Sequence, residues 1–212
     1  MKNRKQRSQI DRAASARDQR RKELLEAATR VFARKGYWNA SITDIIETAG
    51  VARGTFYLYF QGKQEIFAAI VDKFREEEMQ LMQQPIQHAG SQIGKDWRER
   101  TNAAVRSWFE FFCRNLDAAK LVIRDANMID PSAAGKREGV RRAVRSLIAE
   151  NISRMQDAGI YDRKVSAEMA AHFLQAMFEA TALSYLQNAT KHDLEKLTEQ
   201  FVELMLHGMS AR

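Results

Sequence analysis

Apolar residues recur along this chain at three- and four-residue spacing, and no run of β-branched residues alternates with period two. Leu24, Leu25, Ala28, Val31 and Phe32 form one stripe, starting from about Arg17 and closed by Gly36. Ile42, Ile45, Ile46 and Ala49 form a second, and Phe56 and Phe60 lie on a third, short element from about Ala52 to Tyr59. Lys63 opens a fourth, with Ile66, Phe67, Ile70, Val71 and Phe74 in register. Residues 84–96 hold one proline and two glycines and read as a connection. Further helices are predicted over Trp97–Asn115, Leu121–Met128 (stopped near Asp130-Pro131), Gly139–Met155, about Ser166–Asn188 and His192–Met209, the last two as a hairpin. The pattern predicts an all-α protein.

Two prolines and ten glycines in 212 residues, with 45% hydrophobic residues, agree with long helices around a real core. The net charge of +7 is unevenly placed. Residues 1–75 hold sixteen Lys and Arg against eight Asp and Glu, a net of +8, and residues 76–212 eighteen against nineteen, a net of −1. The excess of positive charge therefore sits in the first third, where a phosphate-binding part needs it. This divides the chain into a basic arm at 1–16, an N-terminal three-helix domain at 17–75 and a larger helical domain at 76–212. The arm, with Lys2, Arg4, Lys5 and Arg7, has no apolar face and reads as a flexible tail able to lie along phosphates.

The stretch Ser41–Lys63 carries the chemistry. Ser41 with Asp44 three residues on is a helix start signal, in which hydroxyl and carboxylate each take an orphan backbone N–H. Gly50 stands where the helix must stop in a left-handed residue, and Val51 seals the corner into the next short helix. That helix presents Arg53, Thr55, Tyr57 and Tyr59 over a small Gly54. Two helices joined by a short turn containing glycine form a DNA-reading unit. Tyr37 and Trp38 are expected to pack beneath the first helix.

The segment Arg20–Phe74 resembles the N-terminal domain of the TetR/AcrR family of bacterial transcriptional regulators. The resemblance rests on Ala28, Phe32, Gly36-Tyr37, Ser41-Ile42, Asp44-Ile45, Ala49-Gly50-Val51, Gly54-Thr55-Phe56-Tyr57, Tyr59-Phe60, Lys63 and Ile66-Phe67. Ala52 stands where the family usually places a serine cap, and Ile46 where it has alanine. The resemblance implies a homodimeric, ligand-responsive regulator, a repressor on a palindromic double-stranded operator. A TetR-like protein for chromosome organisation or division, with no effector, is the alternative. In the implied DNA-binding set, Arg53, Thr55 and Thr43 touch base edges, Ser41, Tyr57, Tyr59 and Lys63 grip phosphates, and Gly54 allows close approach.

The family also places a small-molecule pocket in the second domain. Trp97, Trp108, Phe109, Phe112, Met128, Phe173, Met177, Phe178 and Tyr185 are the candidates to line it, and their character favours an apolar or aromatic effector. The final helix pair meets its copy in the family's dimers, which implies an interface from Met169, Phe173, Ala176, Ala180, Leu194, Leu197, Phe201 and Leu204. The run Arg137, Arg141, Arg142 and Arg145 reads as a solvated helix face.

Little else suggests chemistry. His88, His172, His192 and His207 have no partner at metal-ligand spacing, and Cys113 alone makes neither a zinc site nor an intrachain disulfide; in its aromatic helix it reads as a buried thiol. No glycine-rich phosphate loop, nucleophile elbow, signal peptide or membrane-length apolar run is present, so no enzyme activity, cofactor or membrane is expected and the cytoplasm is the expected location.

Overall fold

The computed structural model describes residues 2–88, 97–125, 129, 134–185 and 191–209. Its helices are α1 (Lys2–Lys35), α2 (Ile42–Ala49), α3 (Arg53–Tyr57), α4 (Lys63–His88), α5 (Trp97–Arg114), α6 (Leu116–Lys120), α7 (Ala134–Asp157), α8 (Ala167–Ser184) and α9 (Lys191–Met209). A π-helical segment, Leu121–Asp125, continues α6. The chain divides into two compact units, Met1–Asp72 and Lys73–Arg212, and the division falls inside α4.

In the first unit α1 begins at Lys2, well before the expected Arg17, so the basic arm lies on helical backbone. The physical reason is local. No glycine or proline precedes Gly36, and Lys, Arg, Gln and Ala are good helix formers. Leu24, Ala27, Ala28, Val31 and Phe32 are buried and meet Ile45, Phe56, Phe60, Ile66 and Phe67 in one core. Phe67 stands edge-on to both Phe32 and Tyr37, at 5.9 and 5.1 Å between centroids. Tyr37 is buried as expected; Trp38 is not, and lies 70% exposed. Trp38 instead stands edge-on against the outer side of Tyr37, with centroids 5.2 Å apart.

Serine 41 caps α2 through the full reciprocal box. Its hydroxyl accepts from the Asp44 N–H at 3.1 Å, while its own N–H donates to the Asp44 carboxylate at 2.9 Å. Gly50 ends the helix at φ 64°, ψ 37°, and the Val51 N–H reaches back to the Ile46 carbonyl at 3.2 Å. This is the left-handed cap that only glycine adopts at little cost. α3 is shorter than expected: Leu58 and Tyr59 lie in the turn that follows it.

The second unit is built on rings. Phe74 packs on Phe111 and Phe112, Trp108 on Phe112 and Phe178, and Phe178 on Phe109 and Phe201, with centroids 4.2 to 5.8 Å apart. α5 is buried along Val105, Trp108, Phe109, Phe111 and Phe112, as its wide apolar face requires. α5 and α9 are tied at their surfaces by Arg106–Glu195 and Arg98–Glu203. α7 and α8 form a hairpin whose turn contains Gly159 at φ 73° and is fastened by Gln156, whose amide donates to the Asp162 and Val165 carbonyls. Ser166 caps α8 by accepting from the Met169 N–H.

Asp44 supplies a test of the α2 cap. Its carboxyl is held down from 3.8 to about 2 by the Lys35 ammonium, 2.6 Å away, and by the Ser41 N–H and hydroxyl. A carboxyl whose folded pKa is lowered stabilises the fold fully above its unfolded pKa, and loses that effect as pH falls through the folded value. Asp44→Asn should therefore be less stable than the parent at pH 7, and the gap should close between about pH 4 and pH 2. Urea unfolding of both proteins across that range checks it; a gap independent of pH would contradict the assignment.

Candidate functional site

The α2–α3 pair presents a surface free of internal duties. Thr43, Arg53, Gly54 and Tyr57 are exposed, and Thr55 and Tyr59 are partly so. Phe56 and Phe60 anchor this surface from beneath, with the Arg21 guanidinium 5.3 Å over the Phe60 ring. Arg53 lies 6.0 Å from the Tyr57 ring centre, so its guanidinium is held loosely over an aromatic face. Gly54 has no positive φ, and a Cβ built there meets nothing within 4 Å. The fold itself does not require glycine at this position. At the start of α3, Ala52 makes no side-chain cap, as its sequence departure implies, and leaves the first N–H groups of α3 unpaired by any cap.

Two expected phosphate ligands are otherwise engaged. The Ser41 hydroxyl both accepts from and donates to Asp44. Lys63 turns inward: its ammonium donates to the carbonyls of Tyr37 at 2.8 Å, Ala40 at 2.9 Å and Trp38 at 3.4 Å, and lies 4.5 Å from the Tyr37 ring centre. All three ammonium hydrogens have acceptors on the α1–α2 loop. Lys63 thus holds the loop that brings Ser41 to its cap. Sequence spacing does not reveal this role, because the partners lie 23 to 26 residues away.

In the second unit an apolar cavity of about 110 Å³ is lined by Leu81 and Met82 of α4, Ala104, Val105, Ser107 and Trp108 of α5, Leu147, Ile148 and Asn151 of α7, Leu174 and Phe178 of α8, and Met205 of α9. Of the nine expected pocket residues, Trp108 and Phe178 line it. Phe109 and Phe112 are consumed by core packing, both fully buried. Trp97 packs edge-on to Tyr161, and Met177 is half-buried outside the cavity. Phe173 and Tyr185 face outward, 55% and 51% exposed, and Met128 lies outside the described residues. Aromatic spacing alone cannot tell a cavity wall from a filled core.

The final helices divide their apolar residues in the same way. Met169, Phe173, Ala176 and Ala180 make one exposed face of α8, with Leu204 exposed on α9. Leu194 and Leu197 are half-buried. Phe201, expected at the dimer surface, is buried within its own unit, 4.2 Å from Phe178 and 5.5 Å from Phe109. Nor is the α7 arginine run merely solvated. Arg141 reaches the buried Glu179 at 2.9 Å and Arg145 pairs with Glu138, whereas Arg142 is exposed. Cys113 is a free thiol at intermediate exposure. Among the described residues no cluster of three or more His, Cys, Asp or Glu is arranged to hold a metal ion, and no helix is long and apolar enough to cross a membrane.

Lys63→Met keeps the aliphatic stem and deletes the three hydrogen bonds. Loss of charged hydrogen bonds to carbonyls in a partly buried corner should cost about 1–3 kcal/mol of stability. Chemical denaturation checks this directly; an unchanged midpoint would mean that the ammonium contacts are incidental.

These features can be set against known proteins. The family model described as bacterial regulatory proteins, tetR family, matches residues 24–70, and that described as tetracyclin repressor-like, C-terminal domain, matches residues 94–209. The HTH-type transcriptional regulator YdgC of Bacillus subtilis (strain 168) is 28% identical over 89% of this chain and 92% of its own length. The HTH-type transcriptional activator FasR of Mycolicibacterium smegmatis is 27% identical over 92% of this chain and 84% of its own. The structure of the regulator FadR from Bacillus subtilis, in complex with stearoyl-CoA, superposes with a TM-score of 0.68 at 20% identity, covering 88% of this chain and 97% of the other. The chain belongs to the TetR family of bacterial regulatory proteins and is a helix-turn-helix transcriptional regulator.

Proposed function

We propose that the chain is a homodimeric repressor that occupies a palindromic operator and leaves it when an apolar or aromatic effector enters the second unit. The observation that carries the DNA reading is the exposed row Thr43, Arg53, Gly54, Tyr57 on a capped helix-turn-helix whose own third of the chain has a net charge of +8. Arg53, Thr55 and Thr43 are assigned to base edges, and Tyr57 and Tyr59 to phosphates. Repression needs only occupancy of the site, which this unit is equipped to supply. Activation, the role in FasR's name, would need a further contact with the transcription machinery.

The apolar cavity supports effector control over a purely structural role on the chromosome, since it offers an apolar ligand a lined space. Its lining is almost wholly apolar, and the solved FadR neighbour holds a ligand with a long hydrocarbon chain, so an apolar effector is the class favoured. α4 contributes Leu81 and Met82 to the cavity wall and also begins at Lys63 in the DNA-binding unit, so the effector acts through this helix. The effector must favour the arrangement unable to bind DNA, and a preference of about 100-fold, near 2.7 kcal/mol, gives a useful response.

The exposed face Met169, Phe173, Ala176, Ala180 and Leu204 supports a two-fold interface through the last helices.

Two measurements test these assignments. In binding-site selection, Arg53→Ala should lose preference at particular base pairs, by about 1–3 kcal/mol each, while retaining salt-dependent binding to any sequence. A selected consensus identical to that of the parent would remove Arg53 from the base readers. In sedimentation at micromolar concentration the parent should be a dimer and Leu204→Glu a folded monomer. Leu204 suits this test better than Phe201, whose replacement would break the unit's own core. A monomeric parent would defeat the dimer.

A further inference from the structure

Among the described residues Leu58 is the most exposed of the large apolar side chains, at 74%. A lone exposed leucine is ordinary, and its position sets this one apart. Leu58 follows α3 with its backbone still helical, at φ −71° and ψ −18°. Its N–H reaches the carbonyls of Gly54 and Thr55, each at 3.2 Å, and the Phe60 N–H reaches the Phe56 carbonyl at 3.0 Å. Residues three and four apart on such a turn share a face, and residues two apart face away from each other. Phe56 and Phe60, 0% and 2% exposed, mark the buried side. Leu58 lies midway between them in sequence and so stands on the opposite side, with Gly54 and Thr55.

That side of the turn is open. Gly54, one turn before Leu58, has no side chain to shield the leucine, and Tyr57 and Tyr59 flank it along the chain. Charge and chemistry together name what covers it. Residues 1–75 carry a net charge of +8, which fits a polyanion better than an apolar protein face. A leucine has neither donor nor acceptor, so against a polar base edge it removes water and returns no hydrogen bond. In the major groove one base alone presents an apolar group, thymine with its C5-methyl.

We propose that Leu58 is a specificity-determining residue, packing on the C5-methyl group of a thymine in the major groove of the bound duplex. The inference rests on the reading of α2 and α3 as the DNA-binding element. Arg53 and Thr55 discriminate by hydrogen bonds, and Leu58 adds a position read by shape and burial alone. Cytosine and uracil have a hydrogen where thymine has the methyl, so either leaves a gap over the leucine. Burying one methyl-sized group contributes roughly a fourfold gain in affinity. The contact is therefore a modest one, felt at a single base-pair position and absent from binding to DNA of arbitrary sequence.

The experiment selects binding sequences with the full-length protein and then replaces each selected thymine in turn by deoxyuridine, which pairs alike and lacks only the methyl. For the parent, replacement at the contacted position should weaken binding about fourfold. Leu58→Ala should lose about the same factor on the unmodified duplex and nothing further when that thymine becomes deoxyuridine. The variant should fold, since the side chain lies outside the core, and thermal unfolding followed by circular dichroism checks this. Leu58→Met, with an apolar side chain of similar volume, should keep the sensitivity to deoxyuridine. A parent indifferent to every replacement would overturn the proposal. So would a folded Leu58→Ala protein whose response to every replacement matches the parent's, since the leucine would then touch no thymine methyl. A parent that selects no sequence at all would remove the DNA reading of α2 and α3, and this proposal with it.

Discussion

One helix has to serve two cores. α4 buries Ile66, Phe67, Ile70 and Val71 in the first unit and starts the aromatic core of the second with Phe74, all on one continuous run of backbone hydrogen bonds. Ile66, Phe67, Ile70 and Val71 belong to the first unit and Phe74 to the second, each packed within its own core. Burying a phenylalanine contributes about 1.5–3 kcal/mol, so Phe67 anchors α4 in the first core and Phe74 in the second. Lys63 adds a polar lock at its start, where the ammonium draws three carbonyls of the α1–α2 loop together. The cap at Ser41 depends on that loop, and α2, which leads into α3, depends on the cap.

Downstream of Phe74 the same helix changes character. Arg75 and Glu78 are as deeply buried as the rings around them, and each unpaired polar atom there costs on the order of 1–3 kcal/mol. A well-packed apolar set of the same volume would be the more stable solution. The aromatic chain Phe74, Phe112, Trp108, Phe178 and Phe201 supplies the burial that tolerates this loss. Burial also pushes the Glu179 carboxyl above its ordinary range, against the pull of Arg141 and Arg75.

The helix-turn-helix was legible in the sequence because its signals are local. Ser41 and Asp44 are three residues apart, Gly50 acts on its own φ, and Phe56 and Phe60 share one turn. The all-α class was equally plain from the apolar spacing. What escaped depends on partners distant along the chain. The carbonyls that Lys63 meets lie 23 to 26 residues before it, and the Glu179 that Arg141 meets lies 38 residues after it, so spacing along the chain points to neither pairing. Phe109, Phe173 and Phe178 have the same side chain on helices of the same kind. One is core, one is surface and one lines the cavity, and only the packing decides.

The five residues of α3 have a consequence beyond recognition. A helix of that length cannot hold itself together, since nucleation alone exceeds what so few hydrogen bonds return. α3 also begins without a side-chain cap and carries a glycine in its first turn, where alanine would favour the helix by roughly 1 kcal/mol. Its order is borrowed from Phe56 and Phe60, the two rings seated in the core beneath it. The element proposed to read DNA is therefore among the least self-sufficient in the molecule. Its amides belong to the class that exchanges with solvent by local opening rather than by global unfolding, and a bound duplex that closes over them would slow that exchange first.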